Sequence, residues 1–272
     1  MLVFYVRENR KMRITIIGGG NMGGAIALGL SQSAAWAGAE ITLVNRREAR
    51  SREWQERQPS LRVVTLDYGS VREADVVVVA VKPWDVEALL TEHVAPLAVR
   101  DGQVLVSVAA GVSADELSAW SGGRMTPFVA IPNTPVEVGQ SMTCVVASPE
   151  ATEAQRRLVE QLFGALGRVS FVAERQLPAA MALCSCGVAY ALRYVRAAMS
   201  GGVELGLTPA QAREGVLQTL RGVVDLLEAH GTHPEEEIDK VTTAGGLTIR
   251  GLNEMEHAGF TSAVIRGLKA SR

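Results

Sequence analysis

Cysteine is scarce in this sequence, and the arrangement of the few cysteines excludes a fold held together by disulfides. The 272 residues contain only three, Cys144, Cys184 and Cys186. An odd number with two members only two positions apart does not form a disulfide framework. Two neighbouring thiols without further cysteines or well-placed histidines also make a poor zinc site. We therefore predict no metal and a reducing, cytoplasmic location.

Long hydrophobic runs and an excess of charge are missing from the chain as well. The opening segment has a five-residue apolar run, residues 2–6, which is too short for a secretory signal, and residues 1–11 are therefore interpreted as an N-terminal extension. The 27 basic and 29 acidic residues leave a formal net charge of −2. This balance argues against nucleic acid or an anionic membrane as a partner.

What the sequence does contain, near its start, is a glycine-rich segment between an apolar strand and a helix of small residues. Residues 13–25 read Arg-Ile-Thr-Ile-Ile-Gly-Gly-Gly-Asn-Met-Gly-Gly-Ala. Gly18 permits a tight turn, Gly20 lets the backbone approach a pyrophosphate, and Gly23 lets the helix pack closely on the strand. The pyrophosphate would lie at the helix N-terminus, at Asn21 and Met22. The segment predicts a dinucleotide site, with a merely tight turn as the alternative.

The second predicted strand, residues 40–44, ends in a segment that bears on which dinucleotide is bound. It is followed by Asn45, Arg46 and Arg47. An NAD-specific fold usually has an Asp or Glu here to hold the ribose 2′-hydroxyl, whereas arginine suits a 2′-phosphate. The segment therefore favours NADPH, with NADH possible. A solvated basic helix start is the alternative, since further arginines follow on the same helix.

Two other buried strands end in segments that could contact a ligand. Residues 76–81 form an unbroken apolar run typical of a strand covered on both faces. This run ends at Lys82 and Pro83, and residues 104–108 end in Ala109-Ala110-Gly111. Open parallel sheets bind ligands at such carboxyl ends, although ordinary loops are equally compatible with the pattern. With strands at residues 63–66, 125–131 and 168–172, we predict a mostly parallel Rossmann-like sheet of about eight strands over residues 12–172.

From residue 173 onward no strand pattern occurs, and we predict an all-α domain over residues 173–272. Residues 179–192 carry no charge, yet fourteen residues are too few to span a bilayer. This segment therefore predicts a helix buried on all sides. A domain of about a hundred residues suggests that its cover is another subunit.

Lysine and histidine are also rare, which limits the available proton donors. The chain has four of each, and none lies within the predicted helix at residues 178–199. Reduction of a ketone produces an alkoxide that must be protonated in the transition state. A C=N nitrogen can instead be protonated before the hydride arrives, so a hydroxyl or water suffices. The absence of lysine and histidine from this helix favours an imine substrate, although Lys82 or Lys240 could still approach the substrate in space.

A second candidate site lies close to the end of the chain. Residues 242–246, just before a helix, offer backbone N–H groups and hydroxyls around two glycines. Such a nest suits a substrate carboxylate, and Thr248 could point its hydroxyl at the same ligand. A simple turn between helices is the alternative.

Taken together, these motifs resemble the pyrroline-5-carboxylate reductase family from Met12 to the end of the chain. The matching segments are residues 17–23, 80–83, 107–111, 132–135 and 241–249. The resemblance implies reduction of 1-pyrroline-5-carboxylate to L-proline with NAD(P)H. It also implies helical domains that interlock into dimers, which often assemble further.

The resemblance also implies roles for individual residues. It implies that Lys82 and Pro83 lie by the nicotinamide-side loop and that Asn133 and Pro135 border the ring. Together with the glycine loop and the Asn45 segment, we also predict Ala80, Val81, Ala109 and Gly111 as cofactor-binding residues. The resemblance assigns the substrate carboxylate to Thr243, Ala244, Gly245 and Gly246. Thr248 becomes the catalytic residue, which hydrogen-bonds the imine nitrogen or relays its proton.

The chain departs from the family pattern at three places. Residues 184–188 read Cys-Ser-Cys-Gly-Val where the family usually has Ser-Gly-Ser-Gly-Pro, and Thr243-Ala244 replaces Ser-Pro. Trp84 is unusual after the Lys-Pro pair. The glycines and Thr248 are kept, so we expect the chemistry to be kept. A reductase of another cyclic imino acid and a non-catalytic NADPH-binding dimer remain as alternatives.

Overall fold

The computed structural model describes residues 11–272, so the predicted N-terminal extension lies, apart from Lys11, outside the described residues. The chain divides into two compact units between Ser185 and Cys186. The division falls later than residue 172, after which the sequence pattern becomes helical. The reason is that Leu177 and Met181, beyond the last strand, still pack against the apolar core of the first unit.

A single eight-stranded sheet forms the framework of the first unit, in the order β3-β2-β1-β4-β5-β6-β7-β8. The strands are β1 Arg13–Ile17, β2 Glu40–Asn45, β3 Arg62–Thr65, β4 Val76–Val79, β5 Val104–Ser107, β6 Thr126–Ile131, β7 Ser141–Ala147 and β8 Gly167–Phe171. All neighbouring strands are parallel except β6 and β7, which are antiparallel. The prediction of a mostly parallel sheet of about eight strands is confirmed.

Both faces of the central strands are covered by apolar side chains. Val76 and Val78 of β4 belong to one core cluster, while Val77 and Val79 belong to the cluster on the opposite face. All four side chains are fully buried. An unbroken run of β-branched residues is what a parallel strand between two apolar layers requires.

Strand β7 was not predicted, because its sequence mixes polar and apolar residues. Ser141 and Thr143 are both buried, and their hydroxyl oxygens lie 3.1 Å apart, which allows them to hydrogen-bond each other. Satisfied in this way, polar side chains fit inside the sheet at little cost. Only the neighbouring strands reveal that such a segment is a strand.

Helices cover the sheet and then form the whole second unit. They are α1 Asn21–Gln32, α2 Glu48–Arg57, α3 Pro83–Leu89, α4 Ala114–Trp120, α5 Glu153–Gly164, α6 Leu177–Ala180, α7 Gly187–Glu204, α8 Pro209–His230, α9 Pro234–Val241, α10 Leu247–His257 and α11 Phe260–Ala270. π-helical turns extend α3 over Leu90–Val94 and join α6 to α7 over Met181–Cys186. A capping box of Thr208 and Gln211 begins α8.

The uncharged segment predicted to be buried, residues 179–192, runs from the end of α6 through the π-helical turn into α7, and within the single chain only its Ala182 is buried. None of the described side chains of α7 is buried, and Leu192 is 63% exposed. By length and composition alone, the helical stretch Glu174–Glu204, with a mean hydropathy of 1.2, would be able to cross a membrane. One such helix is weak evidence for a membrane span, since apolar helices in the interior of soluble proteins share this composition. Within the described part of the single chain, α7 thus leaves its apolar side chains partly exposed.

Candidate functional site

A cleft of about 960 Å³ opens at the carboxyl ends of β1, β2, β4 and β5. Four segments that were predicted to hold a cofactor meet in its wall. The predicted residues that line it are Gly18, Gly20, Asn21, Met22, Asn45, Arg46, Arg47, Ala80, Val81, Lys82, Pro83 and Ala109. The position beside β1, where the strand order reverses, is where open parallel sheets bind ligands.

The glycines of the first loop differ in what surrounds them. Gly18 has φ +107°, and a Cβ there would lie 2.6 Å from the Ala80 carbonyl oxygen. A Cβ on Gly23 would lie 2.0 Å from the Gly18 oxygen, so Gly23 serves close packing of α1 rather than the cleft wall. A Cβ on Gly20 would meet nothing within 4 Å. Gly20 therefore leaves open space at the cleft, which fits close approach of a pyrophosphate.

Asn45 joins the end of β2 to the glycine loop and is 3% exposed. The backbone N–H of Gly19 donates to Asn45 Oδ1 at 2.8 Å. Because the Gly19 N–H can only donate, the Asn45 side-chain atom that faces it must be the oxygen, and the NH₂ of the amide points the other way. This buried Nδ2 has no hydrogen-bond partner within the described part of the chain. An aspartate here would offer no donor, whereas the asparagine retains one for an acceptor such as a ribose or phosphate oxygen.

Two arginine side chains beside Asn45, Arg46 and Arg47, line the cleft. Arg46 is 75% exposed and reaches Asp85 only at 4.0 Å, so this ion pair holds it weakly. Partial burial raises the pKa of the Tyr68 hydroxyl, and the charge of Arg46 opposes that rise. Arg47 is the N-cap of α2, and its side chain caps no backbone group there. Both guanidinium groups are therefore free to approach an anion.

Some residues of the cleft wall were not predicted from the sequence. Tyr68 and His93 stack with ring centroids 4.6 Å apart, and both line the cleft, as does Arg50. Tyr68 follows β3 and His93 lies in the π-helical turn after α3, so nothing in the local sequence relates them. Trp84, flagged as unusual, is 77% exposed and is not among the residues that line the cleft.

The structure does not bring Gly111, Asn133 and Pro135 to this cleft. Asn133 is 7% exposed, and both ends of its amide are used internally. Its Nδ2 donates to the Cys184 carbonyl at 2.9 Å, and its Oδ1 accepts from the Met142 N–H at 3.0 Å. Asn133 thus braces the end of β6 against β7 and the π-helical turn, and its cofactor role stays a prediction.

Cys184, one of the two cysteines that depart from the family pattern, lies beside this brace, and it is close to Cys144 of β7. The sulfur atoms of Cys144 and Cys184 are 4.0 Å apart. Burial, together with the neighbouring Cys184, raises the pKa of the Cys144 thiol to about 11. Cys144 is therefore a protonated packing group at neutral pH. Within residues 11–272 no cluster of three or more potential metal ligands occurs, and the absence of a metal stays a prediction.

The predicted carboxylate nest forms the turn between α9 and α10 in the second unit. Gly245 has φ +71°, a conformation that favours glycine, and Gly246 is the N-cap of α10. The Gly246 N–H donates to the Thr243 carbonyl at 2.9 Å. No side chain caps α10, so the N–H groups of its first turn, including that of Thr248, face an exposed surface. This arrangement can accept an anion at a helix N-terminus.

Lys240, one of the two lysines considered as a proton donor, is held close to this turn by Glu237. Lys240 Nζ lies 2.7 Å from Glu237 Oε1, and the Thr232 hydroxyl donates to the same oxygen at 2.6 Å. These two bonds, with that of Lys240 the larger influence, lower the pKa of Glu237 to about 2. Lys240 therefore forms an ion pair with Glu237 at the surface.

Two family models match the chain. Residues 174–272 match the model described as pyrroline-5-carboxylate reductase dimerisation. Residues 13–111 match the model described as NADP oxidoreductase, coenzyme F420-dependent. The first covers the helical end of the chain, and the second covers β1 to β5 with the glycine-rich loop.

Individual proteins are similar over nearly the whole chain. Pyrroline-5-carboxylate reductase 1 of Dictyostelium discoideum is 35% identical over 95% of this chain, which spans about half (48%) of that protein. Pyrroline-5-carboxylate reductase of Pisum sativum is 33% identical over 94% of this chain and 93% of its own length. The crystal structure of Plasmodium falciparum pyrroline carboxylate reductase with NADP bound has a TM-score of 0.84 at 22% identity, covering 96% of this chain and 95% of that one. At that identity the structural similarity shows a shared fold.

Proposed function

The chain belongs to the pyrroline-5-carboxylate reductase family, and we propose that it reduces 1-pyrroline-5-carboxylate to L-proline with NADPH in preference to NADH. The observation that carries the substrate assignment is the uncapped N-terminus of α10 with its glycine turn, because it suits a carboxylate. A chain with few lysines, one of them ion-paired with Glu237, also suits an imine better than a ketone.

The cofactor assignment is supported by the cleft at the carboxyl ends of the strands. The open space at Gly20 fits a dinucleotide. So does the buried Nδ2 of Asn45, which has no hydrogen-bond partner among the described residues. The exposed guanidinium groups of Arg46 and Arg47 favour a 2′-phosphate over a hydroxyl. When bound, the reduced nicotinamide supplies a hydride to the imine carbon.

The protein's own contribution is mainly orientation of the substrate. The N–H groups of Thr243, Ala244 and Gly245 and of the first turn of α10 hold the carboxylate, and the glycines keep side chains out of its way. The Thr248 hydroxyl hydrogen-bonds the imine nitrogen or relays its proton. Asn133, Pro135 and Gly111 stay proposed cofactor contacts.

We further infer that the helical domain, residues 173–272, mediates formation of a homodimer. The match to a dimerisation model and the exposed apolar side chains of α7 support self-association. A cytoplasmic location, with no nucleic-acid or membrane partner, completes the proposal.

The test is a steady-state assay of the purified protein with five- and six-membered cyclic imino acids and with both cofactors. Loss of reduced-nicotinamide absorbance with the five-membered imine, faster with NADPH, is the expected result. Turnover of the six-membered imine alone would identify a reductase of another cyclic imino acid. Thermal stabilisation by NADPH without turnover of either imine would instead identify a non-catalytic binding protein.

Replacing Thr248 with alanine is expected to lower kcat roughly 10- to 100-fold. This loss lies at or below the lower end of the rate enhancement that a general acid or base usually contributes, because water can partly replace the hydroxyl. Thr248→Ser keeps the hydroxyl and should recover most of the turnover. The matched control is Thr219→Ala, which removes an exposed threonine hydroxyl from α8. Unchanged kinetics in Thr248→Ala would mean that water alone supplies the proton.

A further inference from the structure

The peptide groups at Gly19 are held by three side chains from outside the glycine loop. The Gly19 N–H donates to Asn45 Oδ1 at 2.8 Å. Its carbonyl oxygen accepts two hydrogen bonds, from Trp54 Nε1 at 2.7 Å and from Arg50 Nε at 2.8 Å. Both donors belong to α2 and not to the strand or helix that carries the loop.

The carbonyl bonds determine where the next N–H points. A trans peptide is planar, so the Gly19 carbonyl and the Gly20 N–H point in opposite directions. With the oxygen directed at Trp54 and Arg50, the Gly20 N–H is directed away from α2. No partner for this N–H occurs among the described residues, and Gly20 lines the cleft. A flipped peptide would present an oxygen where the loop now presents a donor.

Trp54 is well placed to hold this orientation. Its side chain is 4% exposed, and a Cβ on Gly24 of α1 would lie only 1.9 Å from its ring, so the indole packs directly against the α1 backbone. The guanidinium carbons of Arg50 and Arg57 lie 5.6 and 4.9 Å from its ring centroid. A buried N–H on a fixed ring is a rigid donor, and Trp54 itself is not among the residues that line the main cleft.

We propose that Trp54, assisted by Arg50, is a positioning residue that locks the Gly19–Gly20 peptide so that the Gly20 N–H donates to the cofactor pyrophosphate. The proposal rests on the dinucleotide binding proposed above. Trp54 acts through the loop without touching the ligand. An anionic pyrophosphate oxygen gains from an N–H that is already oriented, because no rotation of the backbone has to accompany binding.

The test compares Trp54→Phe with Trp36→Phe. The first removes the N–H that bonds Gly19, while the second removes an equally buried N–H that has no partner among the described residues. Both leave a phenyl ring in the same apolar cluster. The affinity of each variant for NADPH is measured by fluorescence titration, and its affinity for adenosine 2′-monophosphate, which lacks the pyrophosphate, by competition.

Trp54→Phe is expected to raise the Kd for NADPH about three- to tenfold, the effect of one lost hydrogen bond. The Kd for adenosine 2′-monophosphate and kcat at saturating NADPH should match those of Trp36→Phe. Arg50→Met, which removes the second donor to the same carbonyl, should also weaken NADPH and provides the test if Trp54→Phe does not fold. Equal NADPH affinity in the two tryptophan variants would overturn the proposal, as would equal weakening of NADPH and the nucleotide monophosphate. A wild-type protein that binds no NADPH would instead refute the proposed function itself.

Discussion

The double variant Arg46→Ala/Arg47→Ala is expected to bind NADPH about 10- to 100-fold more weakly than the wild type, while its affinity for NADH changes little. Hydrogen bonds to charged groups contribute about 1.5–3 kcal/mol each, and high exposure places these two at the lower end. NADH lacks the 2′-phosphate, so it has no group that responds to the loss of the guanidinium groups. The measurement is the Kd of each cofactor by titration at fixed ionic strength.

A control must remove the same net charge away from the cleft. Arg52→Ala/Arg157→Ala does so, since both arginines are at least 70% exposed and each pairs with a glutamate four positions earlier on its own helix. This control should bind both cofactors as the wild type does. An equal loss of NADPH and NADH affinity in the Arg46/Arg47 variant would remove the argument for NADPH preference. A steeper dependence of NADPH affinity on salt in the wild type than in the variant would support it.

The Gly20→Ala variant is expected to fold normally and to bind both cofactors about 10- to 100-fold more weakly. Gly20 has φ −69° and ψ −167°, which alanine adopts without strain, and a Cβ there meets no atom within 4 Å. Replacement of a glycine at such a position commonly stabilises a protein by about 0.4–1 kcal/mol. The methyl group would nevertheless occupy the space that we assign to the pyrophosphate. Because NADPH and NADH share that group, both should lose affinity equally.

The matched control for this variant is Gly38→Ala. Gly38 likewise has nothing within 4 Å of a built Cβ, has no positive φ and does not line the cleft. Thermal unfolding and cofactor titration of the two variants separate folding from binding. Retained cofactor affinity in Gly20→Ala, with no loss of Tm in either variant, would mean that the pyrophosphate lies elsewhere.

The sequence predicted the fold best where one physical requirement determined the residue type. The valines of β4 must pack on both faces of a parallel strand, and Gly18 and Gly23 must avoid contact with neighbouring backbone. Strands and helices were predicted less well where a hydrogen bond or a neighbouring strand, and not the local residue pattern, stabilises the element. Residues 141–147 form a strand because Ser141 and Thr143 satisfy each other inside the sheet.

The start of a helix likewise depends on which of two neighbouring segments satisfies more backbone N–H groups. Ser148 followed by Pro149 is a combination that favours a helix start. Helix α5 nevertheless begins at Glu153, because Thr152 and Gln155 satisfy two backbone N–H groups reciprocally as a capping box. Both segments carry signals for a helix start, and the more complete set of hydrogen bonds decides.

By itself, the sequence determined the glycine loop, the arginines after β2, the turn before α10 and the alternation of elements that produces a parallel sheet. Each depends on residues close together in the chain, whose conformational and charge requirements are local. The tertiary structure alone decided that Trp54 and Arg50 hold the Gly19 carbonyl, that Tyr68 stacks on His93, and that Asn133 is used as a brace. These contacts join segments far apart in the chain, and their partners are chosen by packing geometry that no local pattern encodes.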